Sequence, residues 1–310
     1  MIEDLWYKNA VIYSLDLDTF MDANGDGIGD FEGLMRRLDY LHWLGVDVVW
    51  LAPFQPSPKR DNGYDISDYY GVDPCYGSSG DFVEFMHQAN KRGIKVIIDL
   101  VVNHTSNEHF WFQTARSDPQ SKYRNWYIWS KERPPDWKDG MVFPGVQERT
   151  WTYDRAAQHY YYHRFYDFQP DLNVENPEVR TEIRRIMGYW LQLGVAGFRV
   201  DAVPFILEAV KPGVKKPGHD IALLNEMRSF LQWRRGDAIL LGEANVEPEE
   251  NKKYFGDDSD GIHMMFNFYV NQHLFYALAT ADTAPLVQAL QATKEIPYTA
   301  QWGQFLRNHD

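Results

Sequence analysis

Cysteine is nearly absent from this chain: Cys75 is the only one in 310 residues. No disulfide can form within the chain, and a reducing compartment, the cytoplasm, is the default expectation. Long apolar runs are missing too, none approaching the roughly 18 residues that cross a bilayer. The acidic start, Met1-Ile2-Glu3-Asp4, lacks the apolar stretch of a signal peptide. Basic residues are the minority, 31 Lys+Arg against 44 Asp+Glu for a formal charge of −13. That balance argues against nucleic acid or an anionic membrane as the main partner, because both favour a basic face. No repeat or low-complexity tract stands out. With 44% hydrophobic residues the chain can form a packed core, so disorder is not expected for most of it. What is plentiful is aromatic surface: 11 Trp, 19 Tyr and 18 Phe make up 15% of the residues.

The apolar pattern alternates short β-branched runs with longer helical stretches. Strands are expected at Val11–Leu15, Val46–Leu51, Ile94–Val102, Gly197–Asp201, Ala238–Glu243, His263–Phe266 and Gln304–Asn308. Helices are expected at Phe31–Leu44, Asp81–Arg92, Pro177–Leu193 and Leu223–Trp233, with helical segments between Asn271 and Thr293. Gly93 and Gly194 are stop signals, and Asn176-Pro177 is a helix start. Strands that are apolar throughout and separated by helices imply a parallel sheet. Seven of them favour an α/β fold of the (β/α)8 TIM-barrel type over a doubly wound sheet. The barrel needs an eighth strand, so the chain is expected to stop one strand short, at Asp310.

Residues 104–172 fit no such rhythm and far exceed the roughly 2–6 residues usual for a strand-to-helix loop. They are expected to form a subdomain inserted after the third strand, walling the cleft at the C-terminal face where barrel active sites are built. The division is therefore 1–103 (first part of the barrel), 104–172 (inserted subdomain) and 173–310 (second, incomplete part).

Polar residues gather at the expected strand ends. Asp99 and Asn103-His104 lie at the third, Arg199 and Asp201 at the fourth, Glu243 at the fifth and Asn308-His309-Asp310 at the seventh. In a closed barrel these converge on one pocket, whose carboxylates, imidazoles and guanidinium suit acid/base and nucleophilic work on a neutral polar substrate. The bland alternative is that strand ends collect solvated polar groups. Gathering of the whole set at four strand ends argues against it.

These residues also carry a resemblance. Asp99-Leu100-Val101-Val102-Asn103-His104, Gly197-Phe198-Arg199-Val200-Asp201-Ala202-Val203, Gly242-Glu243-Ala244-Asn245 and Asn308-His309-Asp310 resemble the four sequence regions of the α-amylase family, glycoside hydrolase family thirteen. Gln169-Pro170-Asp171-Leu172-Asn173 resembles a fifth region in its oligo-1,6-glucosidase-like branch. The motifs run in the family's order from Asp22 to Asp310. The resemblance implies that Asp201 is the nucleophile of a covalent glycosyl-enzyme, Glu243 the general acid and then base, and Asp310 the stabiliser of an oxocarbenium-like transition state. A retaining glycosidase holds two carboxyls about 5–5.5 Å apart. Arg199, two residues before Asp201 on the same strand face, is expected to keep the nucleophile ionised, and a less polar site to keep Glu243 protonated.

By the same resemblance His104 and His309 bond hydroxyls of the reacting sugar. A metal-ligand role for His104 is disfavoured, since no His/Cys set at zinc spacing accompanies it. In Asp61-Asn62-Gly63-Tyr64-Asp65, Tyr64 matches the residue that stacks on the reacting glucose, and Asp61 the one that grips a non-reducing end. Read blandly, Asn62-Gly63 is only a turn. Gln169 and Arg199 are further candidate substrate contacts. Trp111, Trp126, Trp129, Trp137, Trp151 and Tyr160-Tyr161-Tyr162 are expected mostly as core of the insertion, leaving Phe143 and Phe168 as pocket candidates. Cys75 is expected as a buried small residue.

Asp22, Asn24, Asp26, Ile28 (through its carbonyl) and Asp30 place oxygen donors at every second position, with Gly27 at the sharp turn. The resemblance implies a structural Ca2+ (or Mg2+) there; Gly33 at the twelfth position argues against an EF-hand, and a metal-free turn is the alternative. A second ion held by Asn103, Asp171 and Glu208 is implied by analogy, and no organic cofactor is. Within the branch, Asp26–Phe31, Gln169–Asn173 and Gln301–Asp310 resemble most closely the enzymes that interconvert maltose and trehalose by α-glucosyl transfer. Gly242 and Val246-Glu247 depart from that pattern. An exo-acting α-glucosidase or sucrose-type hydrolase on the same residues, and a non-catalytic sugar-binding or interaction barrel, are the alternatives. Expected substrates are small α-glucosides: maltose, trehalose and sucrose. Oligomeric state is not legible.

Overall fold

The inner short apolar runs become strands buried on both faces, as a parallel sheet requires, while the two edge strands, Ile12–Leu15 and Gln301–Gly303, are largely half-buried. A computed structural model describes residues 3–214, 218–256 and 260–307. Its strands are β1 (Ile12–Leu15), β2 (Val48–Leu51), β3 (Lys95–Leu100), β4 (Trp129–Ser130), β5 (Trp151–Asp154), β6 (His159–Tyr162), β7 (Gly197–Val200), β8 (Glu208–Ala209), β9 (Gly218–His219), β10 (Ile239–Gly242), β11 (Met264–Phe266) and β12 (Gln301–Gly303). Seven of them form one sheet in the order β1-β2-β3-β7-β10-β11-β12. Every pairing in that sheet is parallel. Consecutive elements lie side by side and curl as seven staves of a barrel, open between β1 and β12. A cavity of about 740 Å3 lies along that opening, lined by Tyr13, Trp50, Met264, Phe266, Trp302 and Phe305 among others. The edges are tied through the N-terminal turn, which itself lines the cavity: Gln301 Nε2 donates to the Lys8 carbonyl at 2.9 Å and Tyr7 donates to the Thr299 carbonyl.

The period-2 alternation of a strand sorts its side chains between two cores. Val48, Trp50, Ile97, Ile239, Leu241, Met264 and Phe266 pack together inside the barrel. Val49, Leu51, Val96, Ile98, Phe198, Val200 and Leu240 face outward against the helices. Asp99 therefore continues the inward series of β3, Arg199 and Asp201 that of β7, and Glu243 that of β10.

Helix boundaries follow local chemistry. Ser79–Lys91 begins with a reciprocal capping box between Ser78 and Asp81. Pro177–Gln192 begins with the Asn176 side chain accepting from the Glu178 amide and Pro177 in the first turn. The helix expected over 31–44 is two helices, Phe31–Arg36 and Leu38–Trp43; Arg37 leaves helical geometry and closes the first on the Leu34 carbonyl at 3.0 Å. Of the strand expected at Gln304–Asn308, residues 304–307 lie outside any strand and Asn308 lies outside the described residues; the last strand among the described residues is Gln301–Gly303. Its register against β11 pairs Met264 with Gln301 and Phe266 with Gly303. Phe305 has by then left the sheet and packs on Phe266 and Phe268 at 5.6 and 5.3 Å.

Residues 104–172 hold a helix, Phe110–Ser117, and a three-stranded antiparallel sheet in the order β4-β6-β5. Trp111, Trp126 and Trp151 are buried in it, with Trp129 and Trp137 half-buried. Bridges His104–Asp171 and Tyr127–Leu172 stitch its two ends together beside β3. A second small insertion, the β8–β9 hairpin, follows β7. No helix among the described residues is long and apolar enough to cross a membrane.

Candidate active site

Arg199 is the centre of the polar cluster inside the barrel mouth. Its Nη1 donates to Asp99 Oδ1 at 2.5 Å and to Asp201 Oδ1 at 2.7 Å, and its Nη2 donates to Glu243 Oε1. One guanidinium thus serves three carboxylates contributed by three adjacent strands. Trp50 Nε1 donates to the other Asp99 oxygen at 2.8 Å, which fixes the carboxylate that braces Arg199 from behind. Burial works against the Arg199 charge, but Asp99, Tyr64, Asp201 and Glu243 outweigh it and hold the group firmly protonated. Asp201 shows the opposite of the sequence expectation. Burial, reinforced by the Glu243 and Asp99 charges, pushes its carboxyl well above the usual range, with Arg199 opposing. One cation is shared among three carboxylates, two of them buried. The surroundings of Glu243 are also more polar than expected, since its second oxygen accepts the Ala202 amide at 3.1 Å. Ala202 has φ 51° and ψ 40°, the left-handed region, which aims that amide across to the end of β10.

The segment after β2 supplies the opposite wall. The Tyr64 ring lies 5.6 Å from the Arg199 guanidinium, and its hydroxyl is 3.4 Å from Nη1. Its backbone carbonyl lies 3.2 Å from His104 Nε2. Burial lowers the His104 pKa to about 4, so the ring is neutral at physiological pH. Gln169 Nε2 donates to Asp61 Oδ2 at 2.7 Å, linking the fifth region to the post-β2 loop. The structure thus assembles Asp99, Arg199, Asp201, Glu243, Tyr64 and His104, and sets Asp61 with Gln169. His309 and Asp310, with Asn308, lie outside the described residues.

Phe143 and Phe168 stand one layer back from this cluster. Phe168 stacks on Tyr166 at 5.1 Å, Tyr166 on Phe143 at 5.4 Å, and the Arg60 guanidinium covers Phe168 at 4.3 Å. The ring against His104, at 5.3 Å, belongs instead to Phe165. Phe165 was not singled out by sequence, because nothing in the spacing of the Phe165-Tyr166-Asp167-Phe168 run tells one ring from another. The Ala202 amide is likewise silent in a sequence. Cys75 is half-buried rather than buried, and its sulfur lies 2.6 Å from Lys59 Nζ.

In the loop from Asp22 to Asp30 the acidic oxygens accept from the loop's own amides. Asp22 takes Gly25 at 2.6 Å and Gly27 at 2.8 Å, Asp26 takes Ile28 at 2.8 Å, and Asp30 takes Gly33 at 2.6 Å and Ala23 at 3.1 Å. Each of these oxygens keeps a lone pair, and the set is the all-oxygen chemistry a hard cation accepts. Among the described residues no three Asp, Glu, His or Cys side chains converge closely enough to hold a metal. At the second suggested position Asn103 and Asp171 are neighbours, whereas Glu208 is ion-paired with Arg164. Arg164 also donates its amide to Asp171 at 2.9 Å, so a guanidinium accompanies the carboxylates there.

A curled parallel sheet with acidic groups gathered on one arginine at the strand C-termini is the layout on which barrel enzymes build their active sites. The chain belongs to the α-amylase family: residues 12–310 match the description "Alpha amylase, catalytic domain". It is similar to the trehalose synthase of Thermus thermophilus, 48% identical over 311 residues covering 100% of this chain and 32% of that protein. The oligo-1,6-glucosidase of Bacillus cereus is 40% identical over 288 residues, covering 86% of this chain and 50% of its own length. An inactive variant of the trehalulose synthase MutB in complex with isomaltulose superposes with a TM-score of 0.85 at 31% identity, over 98% of this chain and 58% of that one. The chain therefore spans a third to about half of the length of these relatives.

Proposed function

We propose that the protein containing this chain is a retaining α-glucosyl transferase that interconverts maltose and trehalose, with hydrolysis as a side reaction. The observation that carries this reading is the grip of one guanidinium, Arg199, on both Asp201 and Glu243. It fixes a nucleophile and an acid/base on adjacent strand ends. In the first step Asp201 attacks the anomeric carbon while Glu243 protonates the departing glucosyl oxygen. The released glucose stays in the pocket, turns, and attacks the glycosyl-enzyme through its anomeric hydroxyl, returning its proton to Glu243. Asp310 and His309 complete the pocket in this account, and Asp61 with Gln169 holds the non-reducing glucose. Transfer outruns hydrolysis only where water is kept from the intermediate, a task suited to Phe165 and the Tyr166–Phe143 stack beside it.

The likeness to oligo-1,6-glucosidase and the departures at Gly242 and Val246-Glu247 favour a second reading, an exo-acting α-glucosidase on the same residues. Incubation with maltose and separation of the products decides between them. Trehalose as the main product is expected, and glucose without trehalose would refute the isomerase reading. A structural Ca2+ (or Mg2+) in the loop from Asp22 to Asp30 would brace the turn after β1 and take no part in chemistry. The single thiol suits a cytoplasmic setting.

A further inference from the structure

Asp65 is completely buried, yet no Lys, Arg or His side chain among the described residues forms an ion pair with it. Its carboxylate is occupied by the loop that precedes it. Oδ1 accepts from the Asp61 amide at 3.2 Å and from Ser57 Oγ at 2.9 Å, and Oδ2 accepts from the Arg60 amide at 3.1 Å. Ser57 Oγ in turn accepts from the Lys59 amide at 2.9 Å. The three consecutive amides of Lys59, Arg60 and Asp61 are therefore all satisfied, two directly by Asp65 and one through Ser57.

The backbone so held is a conformation the chain would not choose. Lys59 has φ 58° and Asn62 φ 48°, left-handed values that disfavour a side chain, and Gly63 has φ 94°. A Cβ on Gly63 would sit 2.9 Å from the Pro53 carbonyl oxygen, so the turn is pressed against the end of β2. The Asp61 carbonyl closes it by accepting from the Tyr64 amide at 2.8 Å. Two side chains of the candidate site leave from this turn: Asp61, which meets Gln169, and Tyr64, which meets Arg199. Among the described residues the buried Asp65 carboxylate takes its hydrogen bonds from the turn and from Ser57 alone. Its contacts point to the turn as the reason for it.

We infer that Asp65 is a positioning residue for the reaction: it holds the backbone amides of Arg60 and Asp61, and so sets the Asp61 carboxylate where a terminal glucose is bound. The inference rests on the substrate-binding role proposed above for Asp61. Asp65 touches no substrate. It fixes the strained turn so that Asp61 needs no reordering on binding, and its loss is felt in affinity before turnover.

Steady-state kinetics on maltose test this in the full-length protein, with thermal unfolding recorded for each variant. D65N keeps size and burial but weakens acceptance from two amides. It is expected to raise KM about tenfold, with kcat within about threefold of the parent, the worth of one charge-assisted hydrogen bond. S57A, which removes only the relay, is expected to raise KM about threefold and keeps the test open should D65N fail to fold. D61A/D65N is expected to show the KM of D61A alone, because positioning a missing carboxylate has no value. Parental KM in D65N or in S57A, or KM effects of D61A and D65N that multiply, would overturn the inference. A parental KM in D61A would overturn the underlying assignment of Asp61 together with it, and so is distinguishable from failure of Asp65 alone.

Discussion

Replacing Asp201 by asparagine is expected to abolish turnover and to make the protein more stable. Asp99, Asp201 and Glu243 share one guanidinium, and the Asp99 and Asp201 oxygens bond the same Nη1 at 2.5 and 2.7 Å. Those two oxygens are then no more than about 5 Å apart, and at an effective dielectric near 20 two unit charges at that distance repel by roughly 3 kcal/mol. Burial, with the Glu243 and Asp99 charges added to it, outweighs the single shared Arg199, which sets the direction of the Asp201 shift. The asparagine relieves the uncompensated part, and each 1 kcal/mol regained raises Tm by about 1.5 °C in a chain of 310 residues. The pH dependence has a definite sign. The Asp201 carboxyl is raised in the folded state, so the folded protein binds more protons than the unfolded one above the ordinary carboxylate range. Stability from this group is then present at low pH and lost as pH rises through the folded pKa. The asparagine variant lacks that loss, so its advantage is largest at neutral pH and closes as the pH approaches about 4. Scanning calorimetry between those pH values, with turnover of maltose measured in parallel, checks both halves; activity should fall by about 10⁴-fold or more. A variant less stable than the parent at neutral pH, or a gap that widens on acidification, would refute the crowded-carboxylate argument.

Three further outcomes follow from the geometry. Phe165→Ala removes the ring on His104 and should raise KM for maltose about tenfold and increase the share of hydrolysis among products; an unchanged product ratio would show that the ring does not exclude water. Ala202→Val places a β-branched side chain at φ 51°, costing about 1–3 kcal/mol and pulling the amide from Glu243, whereas Ala202→Gly should keep both stability and rate. Calcium added to chelator-treated protein should raise Tm, and Asp26→Ala should remove that response; identical melting with chelator and with Ca2+ would count against an ion in this loop.

The barrel was legible because its strands are continuous apolar runs whose alternate residues feed two cores. Once that parity is followed, Asp99, Arg199, Asp201 and Glu243 must share one interior. The misses have local causes. The break at Arg37 and the register of Gln301–Gly303 depend on backbone hydrogen bonds, and neither leaves a hydrophobic trace. The β8–β9 hairpin has two-residue strands, too short for any periodicity. The direction of the Asp201 shift is not legible because burial, its largest cause, and the Glu243 and Asp99 charges appear only in the folded cluster, whereas the sequence shows the nearest cation, Arg199. Asp65 carries no role in the sequence, since burial of its carboxylate appears only when the loop folds back on Ser57 and Arg60. Phe165 was lost in a run of equivalent aromatics.

The central claim is a covalent glucosyl-enzyme on Asp201. Mass spectrometry after trapping with a slowly hydrolysed fluorinated α-glucosyl fluoride tests it most directly. A glucosyl adduct on the peptide that carries Asp201, absent in Asp201→Asn, is the predicted result. An adduct on a different residue, or turnover with inversion and no adduct, would contradict it.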